Sequence, residues 1–413
     1  MAERDFALLW VALIGMGISL QMLEVAIGWE VFTDHNNALY LGLIGLAEFI
    51  PMFALALPAG QLADRVSRRV VFGGSLLLSA AVAAGLVVVS AAGVSTVWPF
   101  LALAMGAGTA MAIGTPAARA LPPTLVPVDL LENAMTLRGV AMYFSGVLGP
   151  ALGGVLYLLS PSVVYGVAGA MCLGAAASVA AMHPHPAPEQ PEGSSELSWQ
   201  SVMAGILFVR RSQVVFGAIL LDLLVVLFGG AIALLPLFAH SILHVGPVAL
   251  GVMRSAPAVG ALAGAVLLTR RPLGGHAGKK LLLVAGAFGA SMVVFGLSRS
   301  LWLSVLALAV SGFVDMFSVN IRSTTVALAT PDQLRGRVLA VEMVFIGASN
   351  QLGAFESGLA AFLIGAVPAV VAGGVITVGI AMVWGRLFPA LAAVDHLRDV
   401  HPDRAAELAE ISA

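Results

Sequence analysis

The chain has 413 residues, 60% of them hydrophobic and only 10% charged, with a mean hydropathy of +1.00 and a formal net charge of −2. Soluble domains carry roughly 25% charged residues, so a soluble globular protein is excluded and lipid is the expected solvent. The charge balance gives no footing for nucleic acid, and the single cysteine, Cys172 in an apolar stretch, excludes an internal disulfide or a thiolate metal site; no metal and no cofactor is expected.

From Phe6 the chain runs apolar for too long to be a cleaved signal peptide. Apolar runs at 6–32, 39–62, 70–93, 97–121, 134–158 and 162–182 predict six spanning helices. Span 1 carries Gln21 and Glu24 on one face, three residues apart, with Glu30 nearer its boundary, and span 2 carries Glu48. The polar stretch at 183–200, rich in Pro, Glu and Ser, then interrupts the pattern and leads into a short amphipathic helix near 198–210. Six more runs follow at 213–239, 248–269, 281–298, 301–328, 338–364 and 367–389. Asp222 lies in span 7, Arg254 in span 8, Asp315 and Arg322 in span 10, and Asn350, Gln351 and Glu356 in span 11, with Glu342 nearer a boundary. The expected architecture is all-α, with about twelve transmembrane helices: an N-terminal bundle over 1–182, a cytoplasmic linker over 183–212, a C-terminal bundle over 213–392 and a cytoplasmic tail over 393–413.

Basic residues test the sidedness, because Lys and Arg in short loops favour the cytoplasm. Of the 20 Lys and Arg, all fall at even-numbered connections or near the termini except Arg299 in an odd-numbered loop and Arg254 and Arg322 within spans. Both termini and the linker are therefore expected in the cytoplasm. The halves also repeat: Pro127 opens VPVDLLENA after span 4 and Pro331 opens TPDQLRGRV after span 10, and the same spacing onward reaches Gly149 and Gly154 in one half and Gly353 and Gly358 in the other.

A charged side chain in hydrocarbon costs about 3 kcal/mol on insertion scales, so each retained one is a functional candidate. The intramembrane charges sit on spans 1, 2, 7, 8, 10 and 11, while spans 3, 6, 9 and 12 lack them apart from Arg386 at one end. That division predicts eight helices around a polar pathway and four facing lipid. Counting from the membrane edge places Glu48, Asp222 and Asp315 near mid-depth and Glu24, Arg254 and Glu356 further out. Asp222, Asp315 and Glu356 are the expected proton carriers, and Arg254 and Arg322 the expected anchors for an anionic substrate. The segment GGHAGKK at 274–280 resembles a phosphate-binding loop only superficially, with one residue too few and Lys280 where Ser or Thr is required. ATP hydrolysis is thus not expected, the chain reads as no enzyme, and transport energy must come from a gradient.

The loop GQLADRVSRR at 60–69 resembles the signature of the major facilitator superfamily, roughly G-x-L-a-D-r-x-g-R-[RK]; Gly60, Asp64, Arg65, Arg68 and Arg69 fit, and Ser67 replaces the usual glycine. Gly60 would let helices approach closely, and Asp64, Arg65 and Arg69 would meet helix ends or opposite charges. With Arg335, Gly336, Arg337 and Glu342 they would form a cytoplasmic latch. The stretches TPAARALPPTLVP at 115–127, GVLGPALGGVL at 146–156 and TPDQLRGRV at 330–338 resemble the branch that holds the enterobactin exporter and macrolide efflux proteins. GPALGG is also similar to the antiporter motif G-x-x-x-G-P-x-x-G-G, which Gly149, Pro150, Gly153 and Gly154 fit while Ser145 replaces its first glycine.

These resemblances imply a secondary exporter in the bacterial inner membrane. A rigid sugar-type site would carry more aromatic and amide side chains, and aromatics are only 7%. The expected function is proton-coupled efflux of small amphipathic molecules, siderophore-like or drug-like, by rocking of two six-helix bundles in a monomer. An importer of a small nutrient, or a lipid flippase, would use the same architecture.

Overall fold

The structure, a computed structural model, describes residues 2–183, 199–271, 273–397 and 400. Among these residues twelve helices are long and apolar enough to cross a membrane, and no strand occurs. They are α1 (Ala2–His35), α2 (Ala38–Arg65), α3 (Arg68–Ala91), α4 (Trp98–Ala120), α5 (Leu131–Leu156), α6 (Pro161–Ala180), α7 (Gln213–Ile242), α8 (Pro247–Arg270), α9 (Ala277–Leu297), α10 (Leu301–Ala329), α11 (Asp332–Ile364) and α12 (Ala366–Leu387). Breaks fall where chemistry stops a helix. Asn37 accepts the Leu39 N–H at the start of α2, Ser160 the Val163 N–H at the start of α6, and Ser212 the Val215 N–H at the start of α7. α11 begins at Asp332, several residues before the apolar run, because an acidic first turn after Pro331 is favourable outside hydrocarbon.

The chain packs as two compact units, Met1–Ser194 with Ala233–Ser255, and Ser195–Ile232 with Ala256–Ala413. In the first, α1 packs on α5 and α6, α3 on α4 and α6, and α2 on α4. In the second, α7 packs on α11 and α12, and α9 on α10 and α12. The pairings repeat by position, and glycines mark them at one constant interval in the sequence. Gly149 of α5 meets Ile18 and Gln21 of α1, and Gly353 of α11 meets Val226 and Leu227 of α7; Gly108 of α4 meets the Glu48 backbone, and Gly312 of α10 meets the Pro257 backbone. Trp98 and Trp302, at the same interval, stand 73% and 76% exposed at the starts of α4 and α10, where an aromatic belt would sit.

α7 departs from the single helix expected over 213–239. It is α-helical over Gln213–Gly229, breaks at Gly230, and resumes through a short 3-10 turn, Ile232–Leu234, and a π turn, Phe238–Ile242. The second unit ends its first stretch at Ile232, and the first unit takes the chain back at Ala233. There Gly28 packs on Pro236, and His240 meets Trp29 and Phe32 edge-on.

A helix at Trp199–Arg211 lays Ile206 and Val209 on the second unit's core, its Gly205 against the backbone of Arg337. Residues 184–198 of the linker and 398–399 and 401–413 of the tail lie outside the described residues.

The segment that superficially resembles a phosphate loop is closed from within the chain. The Ala277 and Gly278 N–H groups at the start of α9 donate to the carbonyls of Asp395 and Val394, at 2.8 and 2.9 Å, and the His276 N–H donates to the Asp395 carboxylate. A helix start so capped has no N–H left there for a phosphate. The His276 N–H above all, with the charges of His276, His396 and Lys279, holds the Asp395 carboxyl below the usual carboxylate range. A depressed folded pKa gives an interaction that is fully present above about pH 3.9 and lost as pH falls through the lower folded value. Asp395→Asn is therefore expected to speed exchange of the first α9 amides at neutral pH and to remove their acid sensitivity. Hydrogen exchange between pH 7 and 3 that matches wild type throughout would show that the carboxylate does not hold this cap.

Candidate transport site

In the second unit, charged side chains of α7, α10 and α11 converge on one guanidinium. Arg322 of α10 is ion-paired with Asp222 of α7, and its Nε lies 3.9 Å from a Glu342 carboxylate oxygen of α11. The three side chains are only 5%, 9% and 6% exposed. Asp315 lies half-buried two turns before Arg322 on the same helix. Asp222 and Glu342 thus share one cation. The Arg322 Nε and the Thr325 hydroxyl beside it are buried without a hydrogen-bond partner, so the cluster retains donors that are not committed.

The first unit holds a simpler pair. Arg254 of α8 is ion-paired with Glu24 of α1, and its Nε is buried without a hydrogen-bond partner. A seam of small residues sets this approach. A Cβ at Gly149 would lie 2.6 Å from the Gln21 Cβ, one at Gly153 3.1 Å from the Met22 Cα, and one at Gly154 2.5 Å from the Pro247 carbonyl oxygen, so α5 touches α1 on one side and α8 on the other. Ser145 fills the seam's first position, and its hydroxyl donates to the Ile14 carbonyl at 3.3 Å. The Ser255 hydroxyl reaches the Val147 carbonyl, 2.7 Å away and one turn before Pro150.

The remaining expected residues are placed separately. Glu48 is half-buried on α2, its backbone against Gly108. The Asn350 amide is exposed and donates to the Ile346 carbonyl. Arg69 donates to the carbonyls of Val179 and Ala180 at the end of α6, and Arg68 to Ala120 at the end of α4, so both basic groups complement helix C-termini inside their own unit. Arg335 pairs with Asp332 at 2.6 Å and donates to the Ala327 carbonyl. A Cβ at Gly336 would meet open space. Gly60 and the side chains of Asp64 and Arg65 lie outside the described residues. Sequence reasoning did not single out Thr325, Ser357 or Gly230, which carry no charge, nor Tyr165, which is fully buried and donates its hydroxyl to the buried Glu30. No group of ligand-type residues among those described forms a metal site.

Two repeats of six spanning helices, with charged side chains gathered at buried helix contacts, are those of a multi-pass membrane protein, and the family model that the chain matches is one of the major facilitator superfamily. A family model described as transmembrane secretion effector matches residues 1–408, and the chain belongs to that family. It is 27% identical to the enterobactin exporter EntS of Citrobacter koseri, over 88% of this chain and 87% of that protein, and 23% identical to macrolide efflux protein A of Streptococcus pyogenes, over 88% and 91%. Among solved structures it is similar in fold to the nucleoside transporter NupG, with a TM-score of 0.73 at 13% identity over 94% of this chain and 99% of that one. A bacterial homologue of the human lysosomal transporter Spinster matches with a TM-score of 0.71 at 16% identity, over 94% and 98%. The family and these relatives are transporters, and the function of the chain is movement of a small molecule across a membrane.

Proposed function

We propose that this protein is a proton-coupled exporter of small amphipathic organic molecules, siderophore-like or drug-like, working as a monomer by alternating access in the bacterial cytoplasmic membrane with both termini in the cytoplasm. The observation that carries the reading is the sharing of Arg322 by Asp222 and Glu342, with Asp315 two turns before it on the same helix. One guanidinium cannot compensate two carboxylates in a water-poor bundle, still less a third nearby, and a proton is the smallest species that makes up the difference. Proton arrival at Asp222 or Asp315 weakens their hold on Arg322, and proton departure restores it, which couples a change in helix contacts to a gradient. Arg254 is the anchor for an anionic cargo group, which would compete with Glu24 for it. The names of the relatives, an enterobactin exporter and a macrolide efflux protein, support efflux of small organic molecules. Arg69 and Arg335 would serve as a latch by exchanging their present partners as the protein changes state.

In inverted vesicles, addition of a catecholate siderophore or a macrolide is expected to release protons from the lumen in step with cargo uptake. Asp315→Asn and Arg322→Ala are each expected to lower that coupled flux about tenfold or more, the loss of roughly 1.4 kcal/mol or more of coupling. Undiminished proton-driven flux in both variants sinks the proposal.

A further inference from the structure

The last turn of α1 ends on a histidine whose two ring nitrogens both face carbonyl oxygens. His35 Nδ1 lies 3.0 Å from the Val31 carbonyl oxygen of its own helix, and Nε2 lies 3.1 Å from the Ser95 carbonyl oxygen in the turn between α3 and α4. All three residues belong to the first unit. A neutral imidazole carries one N–H and one lone pair, so either tautomer would set a lone pair against a carbonyl oxygen. Only the imidazolium, with an N–H on each nitrogen, satisfies both contacts.

The surroundings hold the ring in that position. Asn36 follows with φ 46°, a left-handed conformation that asparagine tolerates, and Asn37 at once caps α2, so α1 stops at His35. The Tyr40 ring meets the imidazole edge-on, with centroids 5.1 Å apart. The Ser95 carbonyl needs a donor from elsewhere, because Pro99, four residues on, has no N–H to offer it. A charged ring on the last turn of α1 also sits at the negative end of the helix dipole.

Other cations are few at this end of the unit. On α1 itself the charged neighbours are Asp34 and Glu30, and the Glu30 carboxylate accepts the Tyr165 hydroxyl of α6. Of the elements packed on α1, α2 brings Tyr40, with Glu48 two turns further in, the end of α5 brings Tyr157, and residues 233–246 bring His240 and His244. Residues 92–97 and the first turns of α4 carry no titratable side chain. Arg254 of α8 is taken by Glu24, three turns before His35.

We infer that His35 is a proton-binding site at the end of the first unit opposite the N-terminus, and that the bound proton fastens the turn between α3 and α4 to α1. While the ring is charged, its two N–H groups hold the Val31 and Ser95 carbonyls together. As pH rises through the titration of the ring, one N–H becomes a lone pair facing a carbonyl, the ring turns to relieve that contact, and the Ser95 carbonyl is released. One proton passes to water and one hydrogen bond is lost, with nothing oxidised or reduced. Which compartment the site samples rests on the sidedness proposed above, which puts it on the face where cargo is discharged; the proton site itself does not require it.

The Gly93 and Val94 N–H groups close the turn on the Ser90 and Val89 carbonyls, so their hydrogen exchange reads the fastening. In the full chain in nanodiscs, corrected for intrinsic rates, they are expected to exchange about tenfold faster above the titration of the His35 ring than below it, the ring being followed by nitrogen NMR of labelled histidine. His35→Gln, neutral at every pH, is expected to exchange fast throughout, and His35→Arg, a cation with several N–H groups at every pH, slowly throughout. Wild-type amides that ignore pH, amides that follow pH alike in wild type and His35→Gln, or a ring that stays neutral down to about pH 5 overturn the site. Thr96→Cys, exposed on the same turn, reports the compartment separately. Labelling from outside intact cells supports the outer placement. Labelling only from the cytoplasm, with the pH response intact, upholds the proton site and overturns the proposed sidedness, so the two fail separately.

Discussion

Arg322→Ala is expected to be the most damaging single charge removal in the protein. It leaves Asp222 and Glu342 buried, at 8% and 5% exposure, with no cation among their described neighbours in the cluster. Breaking a buried pair by deleting one partner costs about 3–5 kcal/mol, because the surviving charge keeps its desolvation penalty. The melting temperature in detergent should fall steeply. Removing the orphaned charge in the same chain, as Arg322→Ala with Asp222→Asn and Glu342→Gln, should recover most of the stability, since a neutral cluster of similar volume packs without that penalty. It should not recover proton-driven flux. A single Arg322→Ala variant that melts with the wild type would show that these carboxylates do not depend on it. Recovery of flux in the triple variant would place coupling elsewhere.

The second large effect is expected at the crossing of α8 and α10. A Cβ on Gly312 would overlap the Pro257 backbone, and one on Gly260 would overlap the Ala309 carbonyl oxygen; in both cases the obstacle is backbone and cannot rotate away. Gly312→Ala and Gly260→Ala must therefore part the helices, at about 1–3 kcal/mol each, with Leu at either site losing the folded protein outright. Gly166→Ala and Gly174→Ala are the controls, because nothing lies within 4 Å of a Cβ there. They should be neutral, or up to about 1 kcal/mol stabilising through the unfolded state. Thermal unfolding of the four variants decides the matter: equal melting temperatures would mean that the crossing yields where the geometry says it cannot.

The helices and the repeat were legible in the amino-acid order because membrane insertion imposes them locally. Length and apolarity place each span without reference to any other. The matched glycines record contacts that recur in both halves, and Gly149 and Gly353 do sit on α1 and α7. Of the charges chosen from spans 7, 10 and 11, Asp222, Arg322 and Glu342 meet at one cluster. Their pairing was not legible, since Glu342 looked like a boundary residue and Arg254 gave no sign of its distant partner Glu24, 230 positions away. The break in α7 was hidden for a different reason. Gly229 and Gly230 lie within an apolar run, and glycine is common in membrane helices, so the deciding group was a serine on another span, Ser357, whose hydroxyl donates to the Gly230 carbonyl. A hydroxyl such as Ser357 or Thr325 carries no hydropathy signal strong enough to mark it.

The cap on α9 has a consequence for how the protein is made. Span 9 enters the membrane with its first N–H groups open, and the carbonyls of Val394 and Asp395 that close them do not exist until spans 10, 11 and 12 have been synthesised. The start of span 9 thus waits, during translation, for some of the last residues described. A nascent chain stalled after α12 would therefore expose a helix end that the finished protein conceals.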